Sequence, residues 1–225
     1  MHFPFKPYRL LTDTIMTNTS FTTRIYIAGY PSSINIEPLL PIERFEYITS
    51  ASNEKVKIQR YAVWKLLEHA VYDTLGIKIE NLHLKRSERG KWECPFVRLS
   101  LSHTDSAVAV ALSQAPVGVD IEPINLHEPS RCDKLAKKIL TPQELCEYQR
   151  LSESERNLFF IEKWTSKEAV FKSLDEPVFS PSSLDTSGYS VITSKVLIEG
   201  SDFIFSLAHG GGKVITLVKS KSDYL

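Results

Sequence analysis

Two periods of apolar spacing run along this chain, and the switches between them mark out its elements. Arg24 to Tyr30 (RIYIAGY) is a β-branched and aromatic run closed by Gly29 and Pro31, which predicts a strand. Pro41 predicts the start of a short helix through Ile48. Asn53 is placed to cap a longer helix that ends near Leu75 before Gly76, with Val56, Arg60, Trp64, Leu67 and Val71 on one face. Arg60 interrupts that apolar stripe. Three strands are expected next, at 79–85, 96–102 and 106–112, with a charged turn, Ser87 to Trp92 (SERGKW), between the first two. In the second strand Val97, Leu99 and Leu101 face one way, and Arg98, Ser100 and Ser102 the other.

After Pro116 the pattern restarts with a strand at 117–121. Helical segments follow near 131–139 and from Pro142, where Thr141-x-x-Glu144 has the form of a capping box. A long helix is predicted from about 154 to 174, then a Pro- and Ser-containing loop over 176–188. A strand meander closes the chain at 189–198, 203–208 and 214–219, turned by Gly210, Gly211 and Gly212. Each half reads strand, helices, strands, with a seam near 114–116. The expected fold is α+β: a pseudo-dimer of two similar α/β halves, each a helix packed on a small, mostly antiparallel sheet, with the active site at the seam. Residues 1–20 read as a flexible N-terminal extension, 21–114 as the N-terminal half and 115–225 as the C-terminal half.

Charge narrows the partners. Lys plus Arg and Asp plus Glu number 27 each, so no overall field recruits nucleic acid or an anionic membrane, and an anionic ligand must be held by a local cluster. The three cysteines, Cys94, Cys132 and Cys146, lack CxxC spacing, which argues against a zinc site or a disulfide framework and points to a reducing cytoplasm. Thr12 to Thr23 is polar rather than a signal-peptide core, and no apolar run reaches membrane-spanning length.

The candidate chemistry lies in two stretches. In Gly118-Val119-Asp120-Ile121-Glu122-Pro123, strand alternation sends Asp120 and Glu122 to one face, about 7 Å apart, where two carboxylates repel unless a cation intervenes. In FFIEKWTSKEAVFK (159–172), Trp164, Glu168 and Lys172 recur every four residues on one helix face. Alone, Glu168 and Lys172 read first as a surface ion pair, and Asp120 with Glu122 reads equally as a solvated strand edge. Together, three carboxylates without a His/Cys cluster suit Mg²⁺ and phosphate chemistry. Lys167, Lys172, Arg60, Arg89, Lys91, Ser102 and His103 are candidates to hold the phosphates. No GxGxxG or GxxxxGK[ST] run is present.

The segments RGKW (89–92), LSLSHT (99–104), VGVDIEPI (117–124) and FFIEKWTSKEAVFK (159–172) resemble, in order and spacing, those of 4′-phosphopantetheinyl transferases of the surfactin-synthetase-activating type. The resemblance implies a Mg²⁺-dependent enzyme, and the two similar halves in one chain point to a monomer. It would move phosphopantetheine from coenzyme A to a serine of an acyl or peptidyl carrier protein and release 3′,5′-ADP. It further implies Asp120, Glu122 and Glu168 as metal ligands, with Glu168 also as base. Ser102 and His103 would contact the CoA phosphates, Lys172 would neutralise the pyrophosphate, and Arg60 would lie near the 3′-phosphate. Lys91 matches the lysine of a GKP turn in which Trp92 here replaces proline, and Trp164 and Lys167 complete a W-x-x-K-E pattern. Two alternatives stand beside this: a non-catalytic CoA- or nucleotide-binding module, and a Mg²⁺-dependent phosphohydrolase. The basic run Arg131, Lys134, Lys137 and Lys138 is a candidate docking face for an acidic carrier.

Overall fold

The computed structural model describes residues 22–39, 41–88, 90–124, 129–174 and 176–225, with only the backbone for 129 and 130. The expected extension at 1–20 and the candidate Arg89 lie outside the described residues. Strand β1 (Thr22–Gly29) leads into helices α1 (Ile42–Thr49) and α2 (Glu54–Leu75). A small ladder of β2 (Lys85–Arg86) and β3 (Trp92–Glu93) follows, then β4 (Arg98–His103) and β5 (Ala107–Ser113). The second run is β6 (Val117–Pro123), α3 (Pro129–Ile139), α4 (Pro142–Arg150), α5 (Glu153–Ser173), β7 (Val191–Ile198), β8 (Ser201–His209) and β9 (Lys213–Lys219).

Strand order is β4-β5-β1 in the first sheet and β6-β8-β7 in the second. In both, the strand before the helices pairs antiparallel with the last of the two strands after them. β9 departs from the expected meander. It lies parallel to β1, with Thr23 opposite Val214 and Ile27 opposite Val218. The reason is that β8 already has β6 on one side and β7 on the other, so no ladder edge remains for β9. Gly211 and Gly212, at φ 101° and 80°, turn the chain toward the free edge of β1.

The two sheets pack face to face. Ile25, Ile27, Ala107, Ala109 and Ala111 meet Val117, Val119, Ile121, Phe203, Phe205 and Leu207, and small residues on one side let large ones on the other close the gap. α2 covers the outer face of the first sheet with Trp64, Leu67 and Val71 wholly buried. α5 covers the outer face of the second. α2 begins and ends as its sequence predicts: the Asn53 side chain accepts from Lys55 N, and Gly76 closes the helix at φ 67°.

Residues 79–82 form a single 3-10 turn rather than the start of a strand. Ile79 and Leu82, three apart, eclipse one another in that geometry and enter the α2 core together. The charged turn is a hairpin in which Ser87 N donates to Lys91 O and Gly90 sits at φ 79°. Trp92 anchors it, with its ring 5.0 Å from that of Trp64. Among the described residues no helix is long and apolar enough to cross a membrane.

Candidate active site between strand β6 and helix α5

β6 alternates as its sequence predicts. Val117, Val119 and Ile121 enter the core between the sheets, so Gly118, Asp120 and Glu122 face α5. At Gly118 a Cβ would stand 1.9 Å from the carbonyl oxygen of Ala169 and 2.6 Å from Ser173 N. Only glycine lets the helix lie this close to the strand. That approach sets the reach of Lys172, whose Nζ stands 2.7 Å from Asp120 Oδ1 and 3.3 Å from Ser102 Oγ.

Ser102 comes from the first sheet. Its hydroxyl donates to the same Asp120 Oδ1 at 2.8 Å, while Val119 N donates to Ser100 Oγ at 3.0 Å. The polar face of β4 is therefore the surface that joins β6. Asp120 is 4 % exposed, and its Oδ2 has no hydrogen-bond partner. Trp164 Nε1 donates to Glu122 Oε1 at 3.2 Å. Burial pushes the Glu122 carboxyl up to about 7, aided by the charges of Asp120 and Glu168 and opposed by the Trp164 bond and Lys172. Burial also raises Glu168, with Lys172 opposing and Asp120 adding to the rise. Negative charge thus accumulates here with one lysine against it. Among the described residues, no three His, Cys, Asp or Glu side chains come close enough together to form a ready-made metal cluster.

Opposite the carboxylates lies a cationic cluster of which the sequence reading identified one member. Arg60 Nη1 donates to Tyr47 O at 2.8 Å, and its guanidinium lies 3.9 Å from the Tyr47 ring centre. Arg86 lies 4.0 Å from the same centre, and Arg44 5.3 Å. Arg44 is 3 % exposed, donates from Nη2 to Arg60 O, and leaves Nε without a partner. Its pKa is drawn down to about 9, first by burial and then by Arg60 and Arg86, against the opposing pull of Tyr47. A buried guanidinium flanked by two more, with no carboxylate paired to it among the described residues, is arranged for an anion. His103 links the two regions. Its imidazole is held below its ordinary value, first by the surrounding protein mass, then by Lys172, Arg44 and Arg60, with Asp120 opposing.

Two predicted ligand contacts are redirected. Lys167 is wholly buried, and its Nζ donates to Pro181 O at 2.9 Å and also to Leu184 O, while Glu144 Oε2 lies 2.9 Å away. In the structure it clamps the 181–184 loop and the start of α4 onto α5. Lys91 Nζ donates to Lys172 O at 3.1 Å, at the end of α5 where helix carbonyls lack intrahelical partners. It also lines a cavity of about 690 Å³ with Trp92, Leu101, Phe171, Lys172, Leu174 and Pro177. Arg44 and Arg86 were missed because their convergence is tertiary: α1 packs on α2, and the hairpin brings Arg86 over Tyr47.

A cationic cradle, a half-buried lysine and three carboxylates suit a ligand that carries several phosphates. A family model described as the 4′-phosphopantetheinyl transferase superfamily matches residues 116–207, which hold β6, α5 and most of β8. A 4′-phosphopantetheinyl transferase gsp from Aneurinibacillus migulanus is 31% identical over 121 residues, 52% of this chain and 48% of its own. A holo-[acyl-carrier-protein] synthase from Mycoplasmoides gallisepticum is 37% identical over 59 residues, 26% of this chain and 53% of its own. The chain thus spans about half the length of these two curated relatives. Another holo-[acyl-carrier-protein] synthase, from Streptococcus equi subsp. zooepidemicus, is 30% identical over 105 residues, 43% of this chain and 87% of its own. With most of that relative covered, and with the family-model match at 116–207 spanning the carboxylate side of the site, the chain belongs to the 4′-phosphopantetheinyl transferase superfamily.

Proposed function

We propose that the chain is a 4′-phosphopantetheinyl transferase that moves phosphopantetheine from coenzyme A to a serine of an acyl or peptidyl carrier protein and releases 3′,5′-ADP. The observation that carries this reading is the Lys172–Asp120–Ser102 contact, with Asp120 Oδ2 buried and unpartnered, set across from the Arg44, Arg60 and Arg86 cluster. The equal strand order of the two runs supports a pseudo-dimer with its site at the seam, and two such halves in one chain fit a monomer. Cys94, Cys132 and Cys146 form no disulfide among the described residues, which fits a reducing cytoplasm.

The donor set suits Mg²⁺: hard carboxylate oxygens, one of them orphaned, and neighbouring carboxyls whose ionised forms are disfavoured by each other's charge. Asp120, Glu122 and Glu168 would hold it, and it would supply charge neutralisation beside the pyrophosphate. The chain's own residues do the rest. Arg44, Arg60 and Arg86, with His103, bind the phosphates of the nucleotide end, and Lys172 holds a pyrophosphate oxygen. The apolar cavity beside Lys172 receives the pantetheine arm. The carrier serine Oγ attacks the β-phosphorus, its proton passes to Glu168, and the bond from that phosphorus to the bridging oxygen breaks, leaving with 3′,5′-ADP. Catalysis is then mainly positioning and charge neutralisation. The raised Glu168 carboxyl suits a group that takes a proton.

The test is mass spectrometry of a purified apo carrier mixed with CoA, Mg²⁺ and enzyme. Wild type adds one phosphopantetheine and yields 3′,5′-ADP. Unmodified carrier with wild type, or full modification with Glu168→Ala, would overturn the assignment. Cleavage of CoA without a carrier would favour the phosphohydrolase.

A further inference from the structure

Asp120 Oδ1 is an sp² oxygen that already accepts two hydrogen bonds, from Lys172 Nζ at 2.7 Å and Ser102 Oγ at 2.8 Å. Two bonds use its acceptor capacity, so the carboxylate has only Oδ2 left to offer. A divalent cation held by Oδ2 would bring its charge close to the ammonium on the neighbouring oxygen. Both are positive, and Asp120 is too buried for water to screen them. The two partners of Oδ1 differ in mobility. Ser102 is fixed on a strand and 5 % exposed, whereas the Lys172 side chain keeps 26% of its surface and has room to swing. Lys172 also lines the 690 Å³ cavity, whose other charged residues are Lys91, Glu88, Glu93 and Glu176, while its field reaches His103 together with those of Arg44 and Arg60, the side on which an anionic group would meet it.

We infer that Lys172 and the divalent cation compete for Asp120, and that the cation loads fully only when a polyanion draws the ammonium away. This rests on the reading of Asp120 as a cation ligand and goes beyond it. It gives Lys172 a second role ahead of chemistry, coupling cation binding to arrival of the phosphate-bearing co-substrate, so that the cation alone binds weakly. By linkage, the cation strengthens polyanion binding by the same factor.

The probe is Mn²⁺, followed by electron paramagnetic resonance of the free ion, with wild type, Lys172→Met and Lys91→Met. Lys91 is a cation lining the same cavity, but its Nζ rests on the Lys172 carbonyl, so its variant controls for bulk charge. Without CoA, Lys172→Met should bind Mn²⁺ at least about tenfold tighter than wild type, and Lys91→Met within about twofold of it. Equal affinities for wild type and Lys172→Met, or an equal gain in Lys91→Met, would overturn the inference. With CoA saturating, the gap between wild type and Lys172→Met should narrow, and an unchanged gap would show that Lys172 stays on Asp120 and would also overturn it. No carrier or transfer enters these titrations. Failure of the transferase reading would show in the carrier assay and leave them interpretable.

Discussion

The strands β4-β5-β1 and β6-β8-β7 follow one order, but the two runs that contain them bring opposite charge to their junction. The first run supplies Arg44, Arg60, Arg86 and His103, and the second supplies Asp120, Glu122 and Glu168 with Lys172 paired to Asp120. The order of strands recurs, while the charge brought to the junction does not. Neither half makes a site alone. Under the proposed function, a cationic cradle without carboxylates would bind phosphate and do nothing further, and carboxylates without the cradle would repel the ligand they are to act on.

The largest break in this comparison is expected on the acidic side. Asp120→Ala should lower kcat/KM for carrier loading at least about 10³-fold, close to 4 kcal/mol, while the circular dichroism spectrum stays unchanged. Lys167→Met tests the scaffold instead. It strands Glu144 without its buried partner and frees two loop carbonyls, so denaturant unfolding should show a loss of about 3 kcal/mol. Gly118→Ala should cost a similar amount and also slow loading, since the new Cβ pushes α5 off β6. On the cationic side Arg44→Ala should raise KM for CoA about 30-fold with kcat little changed, because it removes binding common to ground and transition states.

The smallest effect sharpens the electrostatics. Glu122 keeps its proton in the folded protein up to about pH 7, whereas the unfolded chain releases it near 4.5. The folded state therefore binds more protons between those values, and stability falls as pH rises through them. Glu122→Gln removes that slope. With a chelator present, urea melts should show a gain of about 2 kcal/mol at pH 8 and none at pH 4.

Local spacing made part of this site legible. Asp120 and Glu122 were placed on one face by the two-residue period of β6, and the bounds of α2 were readable from Asn53 and Gly76 because caps are local chemistry. Lys167 and Lys172 show where legibility stopped. Both lie on α5, five residues apart, and nothing in their immediate sequence separates a buried clamp from a site lysine. The difference comes from the 181–184 loop, which covers one and leaves the other beside the cavity. Arg44 was hidden for the same reason, since its neighbours Arg60 and Arg86 belong to other elements. The partner of β9 followed from which strand edges were already taken.

That last pairing carries a consequence for how the molecule comes into being. β1 is made early and β9 some 190 residues later, yet they lie side by side. During synthesis the first sheet stays one strand short until residues 213–219 emerge, with the open flank of β1 exposed to any other extended segment nearby. Folding of the half that cradles anions therefore waits on completion of the half that gathers carboxylates, and closing so long a loop late makes slow folding the expected behaviour.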